Sequence, residues 1–132
     1  MWSAFYVSAD YGDIVQIVVG DYASAFGTEG SLRKQGYYFD LSENRRLGIN
    51  EFLERIGVSY VVLKEEISNS ESYLYYCEDW YPEEFDFNIT AVIIDEDSDD
   101  RYMTVSAFMD LNNTFAWRDD IVFTRSQVEG MR

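Results

Sequence analysis

The chain has no histidine, and only one cysteine, one proline and two lysines among its 132 residues. Without histidine there is no Ser-His-Asp or Cys-His nucleophilic system and no imidazole-ligated metal site. Cys77 alone can neither close an intrachain disulfide nor build a thiolate zinc site, a usage that fits a reducing cytoplasm. A lone strand cysteine is read as a small buried hydrophobe. With Pro82 the only proline and no Gly/Ser tract, there is no linker, and residues 1–132 read as a single domain.

Long apolar runs are missing too. The strongest, Ile14 to Val19, is far short of the roughly 20 residues that a membrane span needs. The opening Met1-Trp2-Ser3-Ala4-Phe5 lacks the basic region and apolar run of a signal peptide, so a cytoplasmic location is expected. Gly27-Thr28-Glu29-Gly30 lacks the Gly-Lys-Ser/Thr ending of a phosphate loop, and no dinucleotide fingerprint occurs. Asp95-Glu96-Asp97-Ser98-Asp99-Asp100 opens like a calcium loop. Yet Asp100 stands where the sharp turn needs glycine and Ser106 where a bidentate glutamate is needed, so a solvated hairpin tip is the better reading. No catalytic residue, metal ligand or cofactor is assigned, and the chain is read as non-enzymatic.

What is present is an apolar, aromatic-rich chain of strong negative charge. A net charge of −15 alone would suit a disordered chain, but 47 % hydrophobic residues with 11 Tyr, 9 Phe and 3 Trp supply a core. Ala4 to Ala9 reads as a strand, with a turn at Asp10 to Asp13. Ile14 to Val19, β-branched and apolar on both faces, reads as a central strand; spacing leaves a helix from Asp13 to Phe26 open. Gly27 and Gly30 mark a loop, and Gly36 precedes a short strand, Tyr37 to Leu41. Ile49, Phe52, Leu53 and Ile56 form the buried stripe of a helix, which Gly57 ends as a left-handed cap. Val58 to Ile67 has β character, and Tyr73 to Trp80 reads as a strand ending at Pro82.

Period-two alternation then predicts a long antiparallel hairpin. Phe85, Phe87, Ile89, Ala91 and Ile93 share one apolar face, and Met103, Val105, Ala107, Met109 and Leu111 repeat it after a turn at Asp95 to Asp100. Asn112-Asn113 ends the hairpin, and Ile121 to Thr124 forms a last strand. The expected class is α+β: a mainly antiparallel sheet of about five to seven strands with one or two helices packed on one face.

Charge is segregated along the chain. Residues 1–64 carry 6 Lys/Arg against 8 Asp/Glu, and residues 101–132 carry 4 of each. The 36 residues from 65 to 100 carry 13 acids and no cation. Charge kept only for solubility would intersperse both signs. The acids are expected at strand ends and turns, with Tyr75, Trp80 and Tyr81 as exposed aromatics beside them. Tyr and Trp favour binding hot spots, and carboxylates steer a basic partner toward them. The candidate partner-binding residues are therefore Glu78, Asp79, Trp80, Tyr81, Glu83, Glu84, Asp95, Glu96, Asp97, Asp99 and Asp100. Arg33, Lys34, Arg45, Arg46, Arg55 and Lys64 read as a solvated face balancing nearby acids. The alternative reading makes them one side of a homodimer docked on residues 65–100 of a second copy.

Such a charge repels phosphate backbones and anionic membranes, so the expected partner is neither nucleic acid nor membrane but a basic protein surface. Same-face strand residues recur every ~6.7 Å, so a row of carboxylates can imitate a phosphate backbone and occupy a cationic DNA- or RNA-binding groove. In size, acidity and lack of catalytic residues the chain resembles phage and mobile-element anti-defence proteins, the anti-CRISPR and anti-restriction inhibitors that act as DNA mimics. An immunity protein against a basic nuclease toxin would use the same chemistry. A structural or assembly subunit with a solubilising acidic face is the reading from a different class.

Overall fold

The structure, a computed structural model, describes residues 2–25, 28–71, 73–74, 87–111 and 115–132; the side chains of 2–6, 21–25, 28–33, 110–111 and 115–118 are not described. In chain order the elements are β1 (Trp2–Tyr11), β2 (Ile14–Ala25), β3 (Thr28–Asp40), β4 (Arg45–Leu47), α1 (Ile49–Ile56), α2 (Tyr60–Ser68), β5 (Asn88–Ile94), β6 (Met103–Leu111), β7 (Phe115–Phe123) and α3 (Arg125–Met131). The fold is α+β and its strand pairs are antiparallel. Among the described residues seven strands divide into two sheets, β1-β2-β3-β4 and β5-β6-β7, instead of forming one.

The run Ile14 to Val19 is a strand, central in the first sheet as expected. Gly12, at φ 56°, sits in the two-residue turn that closes the Tyr11–Ile14 pair. Inward-facing Ile14, Gln16 and Val18 are buried. The loop read at Gly27 and Gly30 is displaced: Gly30 pairs with Ala23 inside β3, and Gly27 lies outside the described residues. β3 therefore starts well before Gly36. At Gly36 a Cβ would collide with the hydroxyl of Tyr38, whose ring lies over the glycine.

α1 has the predicted bounds and the predicted buried stripe, Phe52, Leu53 and Ile56, and Gly57 adopts the left-handed cap at φ 78°. Phe52 stacks on Tyr38 with centroids 4.1 Å apart. Arg132 Nε donates to the Ile56 carbonyl at 2.9 Å, so the last residue of the chain satisfies an orphan acceptor at the end of α1.

Two sequence expectations fail on helices. Val58 to Ile67 is not β: Tyr60–Ser68 is α2, with Leu63 and Ile67 buried four residues apart on one side and Val61 exposed on the other. The pull of β-branched propensity is overridden by that stripe. Likewise Tyr73 and Leu74, read as the start of a strand, are helical; Tyr75 to Pro82, with Cys77, lies outside the described residues. α3 was not anticipated at all. Thr124, expected as strand, is its N-cap. Its Oγ1 accepts from Gln127 N at 3.1 Å, and Gln127 Oε1 accepts from Thr124 N at 2.8 Å.

The predicted hairpin is β5–β6, with one correction. Its second strand buries Met103, Val105, Ala107 and Met109 as the alternation requires. In the first, the register shifts between Ile89 and Ala91, so Thr90 is an extra residue in a β-bulge. Beyond it the parity reverses: Val92 and Ile94 join the main core cluster opposite Val105 and Met103, while Ala91, still buried, and half-buried Ile93 lie on the other face with Ser106 and Thr104. Phe85 and Asn112-Asn113 lie outside the described residues.

The two sheets meet where the free edge of β5 abuts the inner face of the first sheet. Gln16 Nε2 donates to Ile94 O at 3.1 Å while its Oε1 accepts from Ile94 N at 2.7 Å. Tyr38, paired with Gln16 across β2 and β3, does the same for Val92, donating to its carbonyl and accepting from its N–H at 2.7 Å. Two side chains thus cover an edge that would otherwise be open to strand addition. One core cluster joins Tyr38, Phe52, Leu63, Val92, Ile94, Met103, Val105 and Val128. Among the described residues no helix is long and apolar enough to cross a membrane.

Candidate protein-binding surface

Hydrogen bonds shape the hairpin tip before charge does. Asp95 N donates to Tyr102 O at 2.8 Å and ends the ladder. Asp95 Oδ1 accepts from Asp97 N at 3.1 Å, an Asx turn, and Ser98 Oγ accepts from Arg101 N at 3.1 Å. One carboxylate is thereby turned onto the loop backbone. Among the described residues no group of three or more Asp, Glu, Cys or His side chains is gathered to hold a metal ion.

The tip is also fastened to the start of α3. Arg125 N donates to Asp99 O at 2.8 Å, Arg125 Nε to Asp99 Oδ1 at 2.6 Å, and Arg125 Nη2 to Glu96 O at 2.6 Å. The guanidinium lies over the Tyr102 ring, 4.4 Å from its centroid, and its bond to Asp99 raises its pKa. Although residues 65–100 carry no cation of their own, the fold supplies one. The fold brings Arg125 back from 26 residues away, so Asp99 is partnered. Asp95, Glu96, Asp97 and Asp100 are exposed and form no ion pair among the described residues.

The rest of the block is placed unevenly. Glu65 and Glu66 are exposed on α2, a helix instead of the expected strand end, and Glu71 is exposed just beyond it. Phe87 is buried, as expected, and Tyr73 packs against it edge-on at 5.0 Å. Glu78, Asp79, Trp80, Tyr81, Glu83 and Glu84 lie outside the described residues, as does Tyr75. The five tip acids are the part of the candidate site whose geometry is described.

The cations of the first half are largely matched within the chain. Arg45 bridges Glu43 and Glu51 at 2.7 Å each, and Arg55 bridges Asp40 at 2.7 Å and Glu43 at 2.9 Å. The result is one chain of charges, Glu51–Arg45–Glu43–Arg55–Asp40, across the β3–β4 turn and α1. Asp40, buried at the end of β3, also accepts from Ser42 Oγ at 2.7 Å and Glu43 N at 3.1 Å. The Ser42 hydroxyl first, then the Glu43 N–H, and Arg55 against the cost of burial, lower its pKa to about 2. Lys34 pairs with Asp120 and so ties β3 to β7. Lys64 lies 4.8 Å from the Phe87 ring centroid. Lys34, Arg45 and Arg55 balance nearby acids as expected, whereas Arg46 lies over a ring and forms no ion pair among the described residues, and the side chain of Arg33 is not described.

Sequence reasoning missed two features. The first is Arg125, which a count along the chain could not bring to the tip. The second is the outward face of β2 and β3, where Ile17, Tyr37 and Phe39 are each more than a third exposed. The signal for it was already in Ile14 to Val19, apolar on both sides. No family model, curated protein or solved structure matches the chain.

Proposed function

We propose that the protein is a non-enzymatic inhibitor that mimics nucleic acid and occupies the cationic binding surface of a DNA- or RNA-handling protein, acting in the cytoplasm of the host cell as a phage or mobile-element anti-defence factor. The observation that carries the reading is the 36-residue stretch with 13 acids and no cation, four of whose carboxylates are exposed on one hairpin tip and form no ion pair among the described residues. The tip is held by Arg125 through two carbonyls and only one carboxylate, so the clamp orders the loop while leaving most of its charge outward. A preordered anionic loop loses little entropy on docking. A mere solubilising face has no need of a clamp.

The test is capture from a lysate of the native host on the immobilised protein, beside a variant with Asp95→Asn, Glu96→Gln, Asp97→Asn and Asp100→Asn. Asp99 is kept because it holds the fold of the tip. The reading expects a nucleic-acid-binding protein retained by the wild type and lost from the variant. Equal retention by both would remove the tip from the interface, and capture of no such protein would remove the function.

A further inference from the structure

The outward face of the first sheet carries an ordered row. Asp10 pairs with Val15, Val15 with Phe39, and Phe39 with Arg46, so these four side chains stand side by side across β1, β2, β3 and β4. Directly opposed residues of a sheet share a face, and a second row, Ser8, Ile17 and Tyr37, lies beside the first. The middle is apolar and unusually open: Ile17 is 37 %, Tyr37 40 % and Phe39 37 % exposed. The ends are charged with opposite sign. Asp10 and Arg46 are both exposed, and among the described residues neither forms an ion pair; Arg46 rests on the Tyr37 ring, 5.0 Å from its centroid.

We propose that this face docks a second copy of the chain, sheet to sheet, about a two-fold axis running parallel to the strands between β2 and β3. The layout selects that partner. With strands about 4.8 Å apart, the row spans about 14 Å from Asp10 to Arg46. Rotation about the stated axis reverses the row end to end. It sets Asp10 of each copy against Arg46 of the other, Val15 against Phe39, and Ile17 against Tyr37. A self-complementary patch of this kind is what an isologous dimer requires. An unrelated basic partner would gain nothing from Arg46, and an acidic one nothing from Asp10.

Size sets the strength. A footprint of about six residues on each of β1, β2 and β3 and the three of β4 covers roughly 330 Å², under half of the ~800 Å² per partner in a standard stable interface. The dimer is therefore weak and reversible. The inference is independent of the nucleic-acid mimicry, because the hairpin tip contributes nothing to this face.

Sedimentation equilibrium over a wide concentration range at physiological salt tests it. The wild type is expected to pass reversibly from monomer to dimer. Phe39→Ser should raise the dissociation constant more than about tenfold, since each substitution is felt twice across the axis. Asp10→Arg alone and Arg46→Asp alone should each weaken association by placing like charges face to face. The double variant Asp10→Arg/Arg46→Asp should return to within about threefold of wild type, because it restores both pairs in reverse. Both exchanged residues are exposed, so the charge swap reads association without disturbing the core. A wild type that stays monomeric throughout overturns the proposal, as does a dimer indifferent to Phe39→Ser or a double variant no better than the singles.

Discussion

Val92 and Ile94 present N–H and C=O groups at the free edge of β5, and two side chains from the other sheet meet all four. A buried backbone group left without a partner costs about 1–3 kcal/mol. Gln16→Leu keeps volume but orphans both groups of Ile94, so a loss of roughly 2–5 kcal/mol is expected from the shift in urea midpoint. Tyr38→Phe keeps the stack on Phe52 and the ring over Gly36 but orphans both groups of Val92, so a similar loss of roughly 2–5 kcal/mol is expected. A glutamine inside a run of Val and Ile was the visible hint, since an amide is buried only if it is satisfied. Its partner could not be read, because 78 residues separate Gln16 from Ile94.

Asp40 gives the residue scale its pH dependence. Its folded pKa of about 2 lies below that of an unfolded aspartate, about 3.9, so its stabilising contribution is complete above that value and is lost as pH falls toward 2. Stability measured by urea midpoint should fall across that window. Asp40→Asn should flatten this acid limb while lowering stability at neutral pH. An unchanged limb would show that Asp40 is not held by Ser42, Glu43 and Arg55 as described.

At the scale of elements, the helix α1 and the strand β6 were legible because each carries one clean period over its whole length. The β5 strand misled after Thr90, because a bulge changes which residues face inward without changing composition. Helix α2 was hidden behind Tyr, Val and Val at its start, although Tyr60, Leu63 and Ile67 follow helical spacing. Helix α3 had a signal of its own, Thr124 three residues before Gln127, placed directly after a strand. Thr124→Ala should cost about 1 kcal/mol. Because α3 begins with Arg125, it should also loosen the hairpin tip, seen as faster amide hydrogen exchange at Asp95 and Arg101. Unchanged exchange there would mean that the tip is ordered without α3.

For the whole molecule, the net charge of −15 sets a repulsion that the internal pairs only partly offset. Most of these pairs are exposed and worth little each, so screening should help the fold more than it harms them. The melting temperature should rise between low salt and physiological salt, and a fall would assign the pairs more weight than their exposure supports. The acidic block itself was fully legible as a count along the chain. Its partial neutralisation was not, since Arg125 reaches Asp99 only through the fold.

The most direct test of nucleic-acid mimicry is a competition titration on the captured partner, with its own DNA or RNA as the displaced ligand, repeated over a range of salt. The account predicts stoichiometric displacement of the nucleic acid. It also predicts an inhibitor affinity that falls steeply with salt, as expected when phosphate-binding Lys and Arg are the groups engaged. Simultaneous binding of protein and nucleic acid to the partner, at undiminished affinity, would contradict it.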